Sequence, residues 1–406
     1  MSGERIAALD LIRGVAVLGI LTVNVAGFAG PTAATLTPNL PNLGSPADAA
    51  VFAAVLVLFE GKMRALFTIL FGASLLLFTE RAEAAGRNAD GLQLRRLGWL
   101  ALFGYLHFLL LWWGDILFLY AVAGAIVLPL RHLRPRTMLA AALLLFTAWQ
   151  AVGIAGDLPG VRAELAVRSG HATPLQRQMQ VRSAAGYAAQ ATEELTEYRS
   201  GFVAQVRSKL ATRPLYPLTL TLLTLGETVP WMLIGMALYK LGLFAGTWPR
   251  ARLRAMAWLG IVGGGLPTLA FAGWGWSAAF PVATMRSAVG YGLGFPHLAM
   301  ALGYLAALVL VAPRLLETGL GQRLAAAGRM AFSNYLGTSL VMCGLFYGWG
   351  LGLVGRVPHA LQPGFVLLAW ALMLAWSPGW LARFRQGPLE WLWRSLTEGR
   401  ALPFKR

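Results

Sequence analysis

His107 and Asp115 lie in the run "ALFGYLHFLLLWWGDILFLY", residues 101–120, whose other members carry no charge. Histidine titrates near neutrality, and a carboxylate that accepts one ring N–H leaves the other nitrogen free to act as a base. Eight residues apart, the two can meet only if the chain turns between them, and Trp113-Gly114 supplies a turn. Two readings stand for each. His107 is a buried histidine bonded to a neighbouring helix, or a general base or proton carrier; Asp115 caps the following helix, or orients the imidazole. Glu227 is the next candidate, because "LGETVPWMLIG" places it three residues before Pro230, and proline removes an internal helix bond. Broken spans of this kind line binding cavities. His297, after Pro296, invites the same reading. Glu60, Lys62 and Arg64 form a charged turn, either an interfacial anchor or the mouth of a cavity. Asp10 and Arg13 share one helical face, either as a helix start with a snorkelling arginine or as an anion site for the phosphates of a nucleotide-like donor.

Each of these groups costs at least about 2.5 to 3.5 kcal/mol in a bilayer and so needs a partner, water or an escape route. That cost applies here because the chain is built to span membranes. Of 406 residues, 57% are hydrophobic and 13% charged, and the apolar residues come in long runs. Runs long enough to cross fall at about 12–29, 63–79, 97–113, 115–131, 137–155, 215–243, 254–274, 288–312, 329–350 and 363–382. The predicted fold is all-α and polytopic, with about ten transmembrane helices and both termini cytoplasmic. The orientation rests on basic residues in short segments, 22 on the inner side against four on the outer. The net charge of +17 therefore follows the membrane, and no nucleic acid partner is expected.

The chain divides into an N-terminal membrane bundle, 1–156, with five spans and a half-helix at 48–59, and a C-terminal bundle, 215–386, with five more. Between them, 157–214 reads as amphipathic helices on the outer face, either a surface cap or a lid over a cavity. Residues 387–406 form a cytoplasmic interfacial helix and tail. Gly260 with Gly264, and Gly348 with Gly352, have the spacing that lets spans approach closely. The single cysteine, Cys343, excludes an intramolecular disulfide and a cysteine metal cluster, and no metal is expected. Walker, G-x-S-x-G and H-E-x-x-H patterns are absent.

"RIAALDLIRGVAVLGILTVN" at 5–24 resembles the first-helix signature of a broad group of membrane acyltransferases of the acyltransferase-3 type. With "GKMRALFTILFGASL", "RRLGWLALFGYLHFLLLWWGDILFLYAV", "GRMAFSNYLGTSL" and "GPLEWLWRSLTEG", it is similar to the YeiB-like family of bacterial inner-membrane proteins, the domain-of-unknown-function-418 family. The acyltransferases carry a histidine at the outer end of the first helix where this chain has Asn24, and an amide is no base at neutral pH. The resemblance implies that another base is needed, and His107 is the replacement, with Asp115 or Glu227 holding its ring. It also implies a donor site at Asp10 and Arg13, with acyl-CoA as one candidate donor. The substrate-binding set is Asn24, Glu60, Lys62, Arg64, His297 and Asn334. Two functions follow: acyl transfer from a cytoplasmic donor to a lipid or envelope-glycan acceptor, or transport of a small or amphiphilic solute with a proton-coupled site. Partners are membrane lipids and a small-molecule or lipid substrate.

Overall fold

A computed structural model describes residues 3–406, with side chains from Ala7 onward; Arg5 lies outside the described side chains. The helices run in chain order as α1 (Gly3–Ala29), α2 (Pro46–Leu58), α3 (Lys62–Ala84), α4 (Ala89–Leu110), α5 (Leu117–Val127), α6 (Pro135–Arg168), α7 (Pro174–Arg199), α8 (Phe202–Thr212), α9 (Tyr216–Lys240), α10 (Arg250–Ser277), α11 (Val282–Ser287), α12 (Gly294–Leu316), α13 (Gly319–Arg329), α14 (Ala331–Phe346), α15 (Gln362–Arg383) and α16 (Pro388–Glu398). Among the described residues, the β-structure is one isolated bridge, Phe384 to Lys405. The chain is an all-α, multi-pass membrane protein.

Six helices, α1, α6, α9, α10, α12 and α15, are long and apolar enough to cross a bilayer. They divide by what their side chains face. The most apolar stretches of α1 and α9 are 72% and 67% buried, so these helices form the centre with α3. Those of α6 and α10 are only 22% buried. Their outer faces present Leu144, Trp258 and Leu259 at over 70% exposure, a surface that only lipid can cover favourably.

Several expected elements differ. The apolar run 115–131 is not one span: α5 has 11 residues, about 16 Å, roughly half a bilayer core, and a 3₁₀ turn at Pro129–His132 completes the run. Helix α14 has 16 residues, and the unexpected α13 precedes it. Small residues make α13 possible: a Cβ on Gly328 would collide with the Asp10 carbonyl of α1, so the two backbones touch there. Gly260 and Gly264 do bring α10 against Gly303 and Pro296 of α12. Gly348 and Gly352, by contrast, lie in the turn after α14; Gly348 lets the backbone end of α7 approach, where a Cβ would strike Arg199 O, and Gly352 has φ +67°. Helix α6 runs through Pro159 without stopping at 157.

The segment after α6 is tied to the bundle. Glu194 of α7 accepts from Thr32 N (2.6 Å) and Thr32 Oγ1 (3.0 Å), and Gly348 N donates to Tyr198 O at 2.8 Å. At the other end, α16 packs against α4 and α14 and is tied to the loop after α3. Arg87 forms two bonds to Glu398, at 3.1 and 2.6 Å, and Trp393 Nε1 donates to Arg96 O at 2.8 Å.

Candidate functional site

Between α3, α4, α5, α14 and α16 lies a cavity of about 500 Å³. Its lining on α3 recurs every three or four residues from Phe67 to Ala82, one helical face about 22 Å long, so the space is a shaft rather than a bowl. One end is basic: Arg13, Arg81, Arg87, Arg96, Arg329 and Arg394 line it, against Glu390 and Glu398. The acids are largely spent. Glu398 serves Arg87, which holds its carboxyl below the ordinary glutamate range through hydrogen bonding. Glu390 accepts from Phe332 N (2.8 Å), Ser333 N (3.0 Å) and the Ser333 hydroxyl, capping α14.

Arg13 is bonded to Asp10 at 2.9 Å and to Ser74 Oγ. Arg96 lies between two aromatic faces, 4.8 Å from the Phe78 centroid and 4.3 Å from that of Trp393. Among the described residues, Arg81, Arg96, Arg329 and Arg394 make no salt bridge. An anion with several charges would find bidentate donors already placed there. The other end of the shaft is apolar and aromatic, closed by Ile116, Leu117, Tyr120 and Tyr335.

Just beyond that closed end, His107 and Asp115 meet. His107 Nδ1 is 2.9 Å from Asp115 Oδ1, and Asp115 Oδ2 accepts from Phe118 N at 2.8 Å. The aspartate therefore both orients the imidazole and caps the start of α5. Glycines admit this geometry: a Cβ on Gly104 would lie 2.6 Å from Asp115 Oδ2. The linker from 111 to 116 is pinned from three sides. Trp112 and Trp113 donate to Gly27 O at 3.2 and 3.3 Å, and Tyr335 donates to Gly114 O at 3.2 Å. Lys209 Nζ reaches across from α8 to the last carbonyls of α4, Phe108 O (2.9 Å), Leu111 O (3.2 Å) and Leu109 O (3.5 Å). Irregular backbone within a bundle is stable only when protein satisfies it in this way. His107 is 2% exposed, its Nε2 has no protein partner, and its ring centroid is 5.1 Å from that of Tyr335. Tyr335 thus stands between the shaft and the imidazole.

A second polar group gathers behind Tyr120. Arg64 Nη2 pairs with Glu227 Oε1 at 2.9 Å, and its guanidinium lies 5.7 Å from the Trp231 ring centroid. Lys62, with no exposed surface, donates to Leu56 O at 2.7 Å; His297 packs against Gly61. Thr68 Oγ1 is 2.7 Å from the Tyr120 hydroxyl and donates to Arg64 O. Gly72 and Gly235 let α3 and α9 approach until a Cβ on either would strike the other's backbone, which brings Arg64 to Glu227.

Of the residues singled out in sequence, His107 with Asp115, Asp10 with Arg13, and Glu60, Lys62, Arg64, Glu227 and His297 as a group are brought together. Glu227 serves Arg64 and not the His107 ring. Asn334 is bonded within the protein: its amide donates to Ala327 O and Ser377 Oγ at 2.9 and 3.1 Å and accepts from Trp376 Nε1 at 2.8 Å. Asn24 does not line the shaft. Tyr120, Thr68, Tyr335 and Lys209 were not singled out, because each has an ordinary residue type and no spacing that sets it apart.

The family model described as "Protein of unknown function (DUF418)" matches residues 238–400. The "Uncharacterized protein YeiB" of Escherichia coli (strain K12) is 31% identical over 97% of this chain and 96% of its own length. The "Uncharacterized protein YxaH" of Bacillus subtilis (strain 168) is 30% identical over 98% and 95%. No solved structure matches. A family match over the C-terminal part and relatives collinear with nearly the whole chain lead to one conclusion: the chain belongs to the DUF418 family.

Proposed function

We propose that this protein transfers an acyl group from a cytoplasmic donor to a hydroxyl or amine on a lipid or envelope-glycan acceptor, in the bacterial inner membrane. The observation that carries the reading is the shaft itself, about 22 Å long along α3: four arginines free of carboxylate partners among the described residues at one end, an apolar and aromatic other end, and His107–Asp115 beyond it. Coenzyme A thioesters have that shape, a polyphosphate head and a long thin arm ending in the reactive carbonyl. The basic residues that would face the cytoplasm under the positive-inside rule are at the same end.

In this reading the phosphates bind Arg81, Arg96, Arg329 and Arg394, and the acyl carbonyl reaches Tyr335. Asp115 accepts the Nδ1 proton of His107, so Nε2 is the basic nitrogen. Tyr335 swings aside, Nε2 takes the proton of the acceptor's hydroxyl or amine, and the nucleophile attacks the carbonyl carbon. The C–S bond breaks, and the imidazolium returns the proton to the departing thiolate. General base removal typically costs about 10²- to 10⁴-fold in rate. The test is transfer of a radiolabelled acyl group from acyl-CoA into extracted lipid or glycan by purified protein in native-lipid nanodiscs. His107→Ala is expected to lose at least about 100-fold; undiminished transfer by that variant would overturn the mechanism.

A second reading, transport of a small or amphiphilic solute, is favoured by a different observation, the buried Glu227 paired with the half-buried Arg64 beside Pro230.

A further inference from the structure

Two smaller cavities lie away from the shaft. Along α1, Arg13 lines the shaft, Thr22 and Ala26 line a deeper cavity of about 40 Å³, and Ala29 lines a shallower one of about 90 Å³. The shallower cavity meets the surface beside Leu43, which is 91% exposed, and the two share His359 and Gln362. At about 10 to 15 Å³ for each water, the deeper one has room for about three waters, or for a straight-chain ligand of about five heavy atoms.

The polar groups around the deeper cavity are not spent on one another. Gln362 is 4% exposed, yet its side-chain amide makes no hydrogen bond among the described residues. Thr22 Oγ1 is sealed from solvent without a protein partner, and Glu60 is in no salt bridge or side-chain hydrogen bond among the described residues. Buried polar groups are nearly always bonded, and a void left by imperfect packing is apolar and dry. A ligand site accounts for both departures.

Each of these groups can accept a hydrogen bond. His359 Nε2 donates to Ala34 O at 3.1 Å, which leaves Nδ1 as a lone pair, and Thr35 spends its proton on Thr32 O at 2.7 Å. Glu60 adds a carboxylate just past the C-terminal end of α2, the negative end of that helix dipole. No lysine or arginine lines the deeper cavity; Arg356 lines the shallower one. The cations next in sequence to Glu60 are committed elsewhere, Lys62 Nζ to Leu56 O at 2.7 Å and Arg64 to Glu227 at 2.9 Å. Valines and the Phe52 ring complete the walls. A protonated amine with a short apolar body matches every feature: N–H donors for the acceptors, a positive charge for Glu60 and the aromatic face, and an alkyl part for the valines.

We propose that the deeper cavity binds a primary alkylammonium ion, which enters through the shallower cavity and places its nitrogen between Glu60 and Gln362. The site stands apart from the arginine-lined shaft and does not depend on acyl transfer.

The experiment is a ligand-detected NMR titration of full-length protein in nanodiscs, with empty nanodiscs as the blank. The probes are n-butylamine at neutral pH, where it is a cation, its neutral isostere n-butanol, and glycerol. Saturable binding of butylammonium is expected, about tenfold or more tighter than of n-butanol, the worth of a charge-assisted contact. Glu60→Gln should reduce butylammonium to the level of n-butanol, and Ala26→Leu, which fills the cavity without touching the carboxylate, should abolish binding. If neither variant folds, the comparison of amine with alcohol on wild-type protein decides alone. No saturable binding by wild type, equal affinity for amine and alcohol, tighter binding of glycerol, or unchanged affinity in folded Glu60→Gln overturns the proposal. No acyl donor is present, so this outcome and that of the transfer assay are independent.

Discussion

Lys209→Met tests what holds His107 against Asp115. The Lys209 ammonium is the common donor to three carbonyls at the end of α4, and it arrives from a helix more than ninety residues away in sequence. Cationic donors at a helix C-terminus satisfy orphan carbonyls and complement the helix dipole. Methionine keeps the stem's bulk and removes all three bonds. Bonds to a charged group contribute about 1.5 to 3 kcal/mol each and share this cation, so a loss of about 3 kcal/mol is expected, a rise of about 150-fold in local opening. The molecule carries its own reporter: Cys343, the only cysteine, is fully buried, and its Sγ lies 3.7 Å from Leu111 O, one of the three carbonyls. Maleimide labelling of Cys343 in detergent, under conditions where opening is in rapid equilibrium, should accelerate by about that factor. Labelling within threefold of wild type would refute the clamp.

Two further outcomes are expected. Burial lowers the Lys209 ammonium to about 8 in the folded protein. The unfolded chain therefore binds more protons between pH 8 and the usual lysine value, and stability rises with pH across that window; the difference in Tm between wild type and Lys209→Met should grow from pH 8 to 10 and stay flat from 6 to 7.5. Gly328→Ala forces a methyl into the Asp10 carbonyl of α1 and should lower stability by about 1 to 3 kcal/mol; a Tm shift under 1 °C would show that α1 and α13 separate easily.

The central pair was legible because two local signals agreed: an ionisable residue in each of two apolar runs, and a Trp-Gly turn between them. What the pair does to the chain was not. An apolar run from 115 to 131 has the length of a span whichever way it folds, and only the tertiary bonds to Gly27 O, Gly114 O and Lys209 draw its start into the bundle. The shaft was hidden for a different reason. Its arginines come from α1, α3, α4, α13 and α16, and the loop after α3, and along the sequence they read only as the charge bias that orients a membrane protein. Function and topology use the same residue type at the same end. Asn334 shows how a polar residue in an apolar run looks available until its partners are seen. For Asn334 these are a carbonyl, a hydroxyl and an indole.

The most direct test of the account is donor binding at the shaft. Isothermal titration of the purified protein with a non-hydrolysable acyl-CoA analogue should give saturable binding that weakens with salt. Arg96→Ala should weaken it about 10- to 100-fold, the loss of a charged bidentate contact, while Asn334→Ala leaves the affinity within threefold if the variant is folded. No binding by folded wild-type protein, or equal affinity in Arg96→Ala, would contradict the claim that the arginines hold the donor.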